Sequence, residues 1–268
     1  MSKFARNAAI IILSAIILFP LFYALSASFF TPQDFTASEA RLLPSSVSAR
    51  NYMLSLSHRY FLRYLVNSIL TAMLTAILRC IIVTMAAFAF THLSFKGKRV
   101  LLIALLSTLF IPPDAMLYEN YITTARLGLL DSYLGIILPS LFSASAMLMT
   151  IGAYLSSDRD IYDAAMMDGA GDIRYITTIL VPLTASVTIT VFIQAFIALF
   201  NSYLWPLLVT TRPKMRTVQV GITMLGFAEE GEFGAQFAAI VIVTLPFLLL
   251  LLAGRKMIMK AISGGMSN

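Results

Sequence analysis

Few residues in this chain could do chemistry, and they sit at a handful of positions. Arg79 lies inside a long apolar stretch with Cys80 beside it. A guanidinium at the centre of a membrane helix costs at least about 2.5–3.5 kcal/mol on insertion scales, so it must face a bundle interior or a watery cavity. There it pairs with a carboxylate or with backbone carbonyls, or it touches solute. Asn67 and Asn201 stand near the ends of apolar stretches and either line a polar pathway or hydrogen-bond across helices. The third place is Ser156 to Pro182, where charged, small and apolar residues mix. Ile161-Tyr162-Asp163-Ala164-Ala165-Met166-Met167-Asp168 reads as a short amphipathic helix. Gly169-Ala170-Gly171 breaks it, and Asp172 is placed to cap a second helix leading to Pro182. Adjacent alanines give a narrow face that fits a groove, and Met166 and Met167 add adaptable apolar contacts. The glycines turn the chain without a side-chain penalty. These features describe either a docking element or an ordinary amphipathic connector.

No catalytic constellation accompanies them. The chain has no G-x-x-x-x-G-K-[ST] phosphate loop, no H-E-x-x-H, no G-x-S-x-G and no facing carboxylates within its apolar stretches. One cysteine excludes an intrachain disulfide and a cysteine-based metal site. His58 and His92 are too far apart to suggest a metal cluster. Ile262-Ser263-Gly264-Gly265-Met266 superficially matches the signature loop of a transport ATPase, but the dozen residues after the last apolar stretch cannot hold such a domain. It reads as a flexible tail. The expectation is a chain that is not an enzyme and binds no cofactor or metal.

The elements that must position these residues follow from composition. Of 268 residues 59% are hydrophobic and 12% charged, with a mean hydropathy of +0.86. Soluble domains carry about 25% charged residues, so this chain cannot supply a water-facing surface. That excludes an ordinary cytosolic enzyme and a disordered chain, and the net charge of +6 belongs to loops rather than to a nucleic-acid face. A membrane span needs about 20 apolar residues. Six stretches qualify: Ala8–Ala27, Tyr64–Phe90, Val100–Leu117 broken near Pro112–Pro113, Tyr133–Tyr154, Leu183–Tyr203 and Gln236–Ala253. The first is long for a signal h-region and reads as an uncleaved anchor. Glu119 to Ser132 and the stretch between Tyr203 and Gly234 read as polar loops. Phe30 to Arg63 also reads as a loop, with room for a short surface helix. Trp205, Tyr203 and Tyr133, near span ends, read as interfacial anchors. Six spans put both ends on one side. With the ends cytoplasmic, ten basic residues fall inside and eight outside, and three of the ten crowd the 92–99 turn.

The motif Asp163-Ala164-Ala165-x-x-Asp168-Gly169-Ala170, followed by Ile179-x-Val181-Pro182-Leu183, resembles the EAA loop of ABC-importer permease subunits. Other patches are similar to the carbohydrate-uptake branch of that family, in its maltose and glycerol-3-phosphate types. They are Asn67-Ser68, Ala86-Ala87-Phe88-Ala89-Phe90, Leu127-Gly128-Leu129-Leu130-Asp131-Ser132-Tyr133, Phe200-Asn201-Ser202-Tyr203-Leu204-Trp205-Pro206-Leu207 and Arg216-Thr217-Val218. Asp163 replaces the usual glutamate, Ser186 stands where a second proline is frequent, and the tail Ala261 to Asn268 lacks the family's usual ending.

The resemblance implies a single all-α permease domain over 1–268, with residues 156–182 as a cytoplasmic coupling loop. It implies a second and different permease subunit, two ATPase subunits that bind ATP and Mg, an extracytoplasmic solute-binding protein, and a bacterial-type inner membrane. Docking to the ATPase would fall to Asp163, Ala164, Ala165, Met167, Asp168, Gly169 and Ala170, with Asp168 alternatively a brace at the helix end. Asn67, Arg79 and Asn201 are the pathway candidates.

Overall fold

The computed structural model describes residues 3–228, 233–245 and 248. Among them the chain is all-helical. The helices are α1 (Lys3–Ala27), α2 (Pro32–Thr36), α3 (Arg50–Ser57), α4 (Phe61–His92), α5 (Lys98–Ser107), α6 (Leu117–Arg126), α7 (Tyr133–Ile137), α8 (Ala144–Leu155), α9 (Arg159–Met167), α10 (Asp172–Tyr175), α11 (Val181–Leu183), α12 (Ala185–Phe200), α13 (Leu204–Val209), α14 (Val218–Ala228) and α15 (Phe233–Leu245). They divide between two compact units, one of Met1–Leu65 with Val218–Asn268 and the other of Val66–Thr217.

Among the described residues, two helices are by themselves long and apolar enough to cross a membrane, Ala5–Ala27 and Phe61–His92. Three more spans arise only if bent pairs are joined, and each bend has a local cause. Lys98–Phe110 and Pro113–Arg126 meet at 102°, because Pro113 has no N–H to donate and excludes the helical region for Pro112 before it. The expected fourth span is likewise not continuous: Tyr133–Ser140 and Ala144–Leu155 meet at 54°. Ser143 is extended there and starts α8 afresh, its hydroxyl accepting from the Ala146 N–H. Asp172–Leu183 and Ala185–Phe200 meet at 87°, around Thr184 and just after Pro182. The expected sixth span is described only as α15; its continuation to Ala253, the Arg255–Lys256 stop and the tail Ala261 to Asn268 lie outside the described residues.

Two stretches expected to be loops are partly helical. Glu119 to Ser132 contains most of α6, whose buried Thr124 and half-buried Tyr121 and Ile122 face inward while Glu119 and Arg126 make the segment look polar. The stretch after Tyr203 contains α13 and α14. Pro206 falls in the first turn of α13, where no helical donor is lost. In α14, Gly221 backs onto the Tyr64 ring, where a Cβ would lie 2.1 Å from Cδ2.

The first unit is tied together by polar side chains. The Asn51 amide donates to the carbonyls of Ser28 and Phe30 at 2.9 and 2.8 Å, and the Ser55 hydroxyl donates to Ala235 at 2.6 Å. Asp34, 5% exposed, accepts from the N–H and hydroxyl of Thr31, the hydroxyl of Ser45 and the guanidinium of Arg41. The Thr31 N–H is the main reason its carboxyl is held far below the usual range; burial opposes this, and the Ser45 and Thr31 hydroxyls add to it. In the second unit the core runs from Val83, Ala87 and Phe88 on α4 through Met147, Ile151 and Tyr154 on α8 to Ala165, Tyr175, Leu180 and Val191.

Candidate functional site

Helix α9 has two faces of different use. Asp158 caps its N-terminus, accepting from the Asp160 N–H at 3.1 Å. Its C-terminus closes as a Schellman motif: the Ala170 N–H reaches the Ala165 carbonyl and the Gly169 N–H reaches Met166, both at 3.0 Å. Gly169 takes φ of +79° to make that turn. The inner face carries Ala165, buried, with Tyr162 and Met166 half-buried against the core. The outer face carries Asp163, Ala164, Met167 and Asp168, all exposed; Met167 is 84% exposed.

The expected docking residues therefore divide. Asp163, Ala164, Met167, Asp168 and Gly169 stand outward, and Ala170 is half-buried. Ala165 is turned inward, because it lies on the α9 face that packs on the core. Asp172 is not the cap of the next helix. Gly171 holds that position, and the Asp172 carboxylate instead accepts the Tyr162 hydroxyl at 2.9 Å. Burial first, and then this carboxylate, push the Tyr162 hydroxyl above its ordinary range.

Beneath α9 lies an aromatic stack. His92 at the end of α4 lies flat on Phe88, centroids 4.8 Å apart, and meets Tyr162 edge-on at 4.9 Å. Tyr162 meets Tyr175 edge-on at 5.0 Å. The Thr91 hydroxyl lies 2.8 Å from the His92 Nδ1. These aromatic contacts pack α9, α10 and the end of α4 against one another.

Of the three pathway candidates, Arg79 and Asn67 hydrogen-bond within the chain through their side chains. Arg79, 8% exposed, donates from Nε and Nη2 to one acceptor, the Ser140 carbonyl. That carbonyl ends the Tyr133–Ser140 segment at its bend, where helix geometry leaves acceptors unsatisfied and favours a cation. Asn67, 1% exposed, donates to the carbonyls of Lys214 and Arg216 at 2.9 Å each and accepts the Tyr133 hydroxyl at 2.9 Å. Its amide is engaged by the chain itself. Asn201 is exposed at the C-terminal end of α12, its N–H donating to the Ile197 carbonyl at 3.0 Å.

Sequence patches far apart in the chain converge on one network. Trp205 Nε1 donates to the carbonyls of Gly135 and Ile136 at 3.2 Å, so Trp205 and Tyr133 serve as internal ties rather than interfacial anchors; Tyr203 stays 40% exposed. Asp131, in the left-handed region at φ of +54°, accepts from the N–H groups of Thr211 and Arg212 at 2.7 and 2.8 Å and from the Thr211 hydroxyl. Burial pushes its carboxyl up, but the Arg212 N–H, the Thr211 hydroxyl and N–H, and the Arg212 charge outweigh it, so it is held below the ordinary range. Sequence reading gave Asp131 no role. Its place in the Gly128–Tyr133 turn was the available signal, since aspartate tolerates the left-handed backbone and accepts from nearby N–H groups.

Known proteins share this architecture. A family described as "binding-protein-dependent transport system inner membrane component" matches residues 75–264. The trehalose/maltose transport system permease protein MalG of Thermococcus litoralis is 31% identical over 260 residues, 95% of this chain and 93% of that protein. The sn-glycerol-3-phosphate transport system permease protein UgpE of Agrobacterium fabrum is 30% identical over 214 residues, 77% of this chain and 76% of that protein. A chain from the crystal structure of a bacterial ABC transporter involved in the import of the acidic polysaccharide alginate superposes with a TM-score of 0.81 at 20% identity, covering 96% of this chain and 98% of that one.

Proposed function

The chain belongs to the family of binding-protein-dependent transport system inner membrane components, and from that premise we propose that it is one of two permease subunits of an ATP-driven importer of a carbohydrate. It is embedded in the membrane, in six spans with both termini cytoplasmic. It hydrolyses nothing itself: two ATPase subunits bind ATP and Mg, a second and different permease completes the channel, and a solute-binding protein delivers the solute. Residues 156–182 are the coupling loop. The observation that carries this reading is the outer face of α9, where Ala164 leaves room for close approach, Met167 offers an exposed adaptable apolar contact, and Asp163 and Asp168 flank them with charge. A groove with an apolar floor and a basic rim fits that face. ATP-driven closure of the ATPases would carry α9 as a rigid body, and the aromatic stack under it would pass the motion to α4. Only contacts that differ between two states convert ATP binding into movement, and α9 is suited to supply them.

A polyol or glycerol phosphate is the second solute class, favoured by the likeness to the UgpE protein. A stand-alone secondary carrier would need intramembrane carboxylates for ion coupling, and family membership weighs against it. The test is co-purification from detergent-solubilised membranes, with wild type compared to Gly169→Asp. The reading predicts ATPase subunits with the wild type and their loss from a still-folded variant. A chain that comes out alone in both samples refutes it.

A further inference from the structure

The turn between α4 and α5 and the outer face of α5 form one amphipathic surface. Local contacts fix the turn. Phe95 packs on Phe90 with centroids 5.8 Å apart, and Lys98 Nζ donates to the Leu93 carbonyl at 2.8 Å. Gly97, at φ of +78°, accepts the Leu101 N–H at 2.9 Å. Lys98 is thereby committed to the chain, while Lys96 and Arg99 stand exposed. Among the described residues neither of these two is ion-paired to a carboxylate. Leu102 and Leu105 pack α5 against the core. The outer face carries Val100, Ile103 and, past the end of α5, Phe110, which are 73%, 60% and 88% exposed. Arg99 and Ile103 are four positions apart and share a face, so a cation stands at the foot of the apolar strip. Ser107 and Thr108 are also exposed, but their hydroxyls donate to the Ala104 and Leu105 carbonyls at 2.7 Å each, and neither needs water. Lys98–Phe110 ends at its 102° bend. From Arg99 to Phe110 the chain rises roughly 16 Å, about the depth of one leaflet of a 30 Å hydrocarbon core.

We propose that this surface seats an anionic phospholipid of the cytoplasmic leaflet, its phosphate between Lys96 and Arg99 and an acyl chain along Val100, Ile103 and Phe110. The inference rests on the importer reading above, which puts the turn on the cytoplasmic side. The joining of two cations to an apolar strip of leaflet depth selects the ligand. A soluble anion would use the cations and leave the strip bare. An apolar helix of another subunit would cover the strip and leave the cations unanswered. An acidic lipid meets both at once. Basic residues at the cytoplasmic surface draw acidic lipids, and long basic side chains reach headgroup level while their stems lie along apolar surface.

The test uses the complete importer in nanodiscs carrying a photoactivatable phosphatidylglycerol, with adducts mapped by peptide mass. The wild type is expected to label within residues 100–110. Unlabelled phosphatidylglycerol should compete, and phosphatidylcholine or soluble glycerol phosphate should compete at least about tenfold less well. Lys96→Gln with Arg99→Gln should cut that labelling about tenfold, and Lys96→Arg with Arg99→Lys should keep it. A photoactivatable phosphatidylcholine that labels 100–110 equally well overturns the proposal, since the strip then selects no headgroup. So does an assembled complex with no label there, which would mean that the second permease covers the strip. Glycerol phosphate competing as well as the lipid would overturn it too, leaving a site for soluble anions. Co-purification of ATPase subunits tests the importer reading separately: labelling at 100–110 on a chain that brings no ATPase keeps the lipid seat and refutes that reading.

Discussion

Gly169 has space for a side chain but not the backbone for one. No atom lies within 4 Å of where a Cβ would stand, yet φ is +79°, a conformation that costs an L-residue about 1–2 kcal/mol. Gly169→Val should therefore loosen the end of α9 without any steric clash, lowering ATPase co-purification while leaving membrane insertion intact. Arg79 gives the opposite case, a side chain whose loss leaves a vacancy. Arg79→Met strips the Ser140 carbonyl of its donor at the bend, and an unsatisfied buried acceptor costs about 1–3 kcal/mol. Thermal unfolding in detergent should show Arg79→Met well below wild type and Arg79→Lys, which keeps a donor, between them. A solute-contacting arginine would instead alter transport without altering stability. That Arg79 faces inward was legible from a lone charge in an apolar run, but the choice among a carboxylate, backbone carbonyls and solute was not. Nor was the carbonyl itself, because Ser140 lies 61 positions away and becomes an acceptor only when the helix breaks.

The end of α9 was readable, since its apolar spacing and its glycine stop are local signals, but the helix begins at Arg159 under the Asp158 cap, ahead of the expected start at Ile161. The bent pairs were harder. Pro112–Pro113 marked one break, but Ser143 and Thr184 are ordinary span residues until the chain turns at them. α6 and α13 were hidden because short helices rich in polar residues or proline match the composition of loops. The clamp of Asp131 on Thr211 and Arg212 lies at the same scale and titrates. Asp131 has its carboxyl held below the ordinary range in the folded state, so the clamp contributes fully above the unfolded value of about 4 and is lost as pH falls through the lower folded value. Protection of the Thr211 and Arg212 amides against hydrogen exchange, measured relative to the intrinsic rate at each pH, should be high at neutral pH and fall only below about pH 4. In Asp131→Asn that acid-triggered step should vanish.

At the scale of the whole molecule, the low charge content and the exposed apolar side chains say the same thing. Ile11, Ile17 and Leu18 on α1 are 69%, 70% and 56% exposed, and Val66 and Ile81 on α4 are 60% and 53% exposed. Such faces are stable only against lipid or neighbouring helices. The polar side chains of Asn67 and Arg79 are turned the other way, into contacts within the chain, as a medium without water requires. Composition announced that division, while the pairing partners depended on contacts across 60 to 150 positions, as in the grip of Asn67 on Arg216.

The central claim, that the outer face of α9 meets the ATPase, is tested most directly by cross-linking in native membranes. In a Cys80→Ser background, Met167→Cys and Ala165→Cys would each be treated with a short thiol-to-amine reagent. The account predicts an ATPase adduct from Met167→Cys that weakens when ATP is trapped, and little or none from Ala165→Cys. An assembled complex in which Met167→Cys gives no adduct, or in which Ala165→Cys reacts equally, would contradict it.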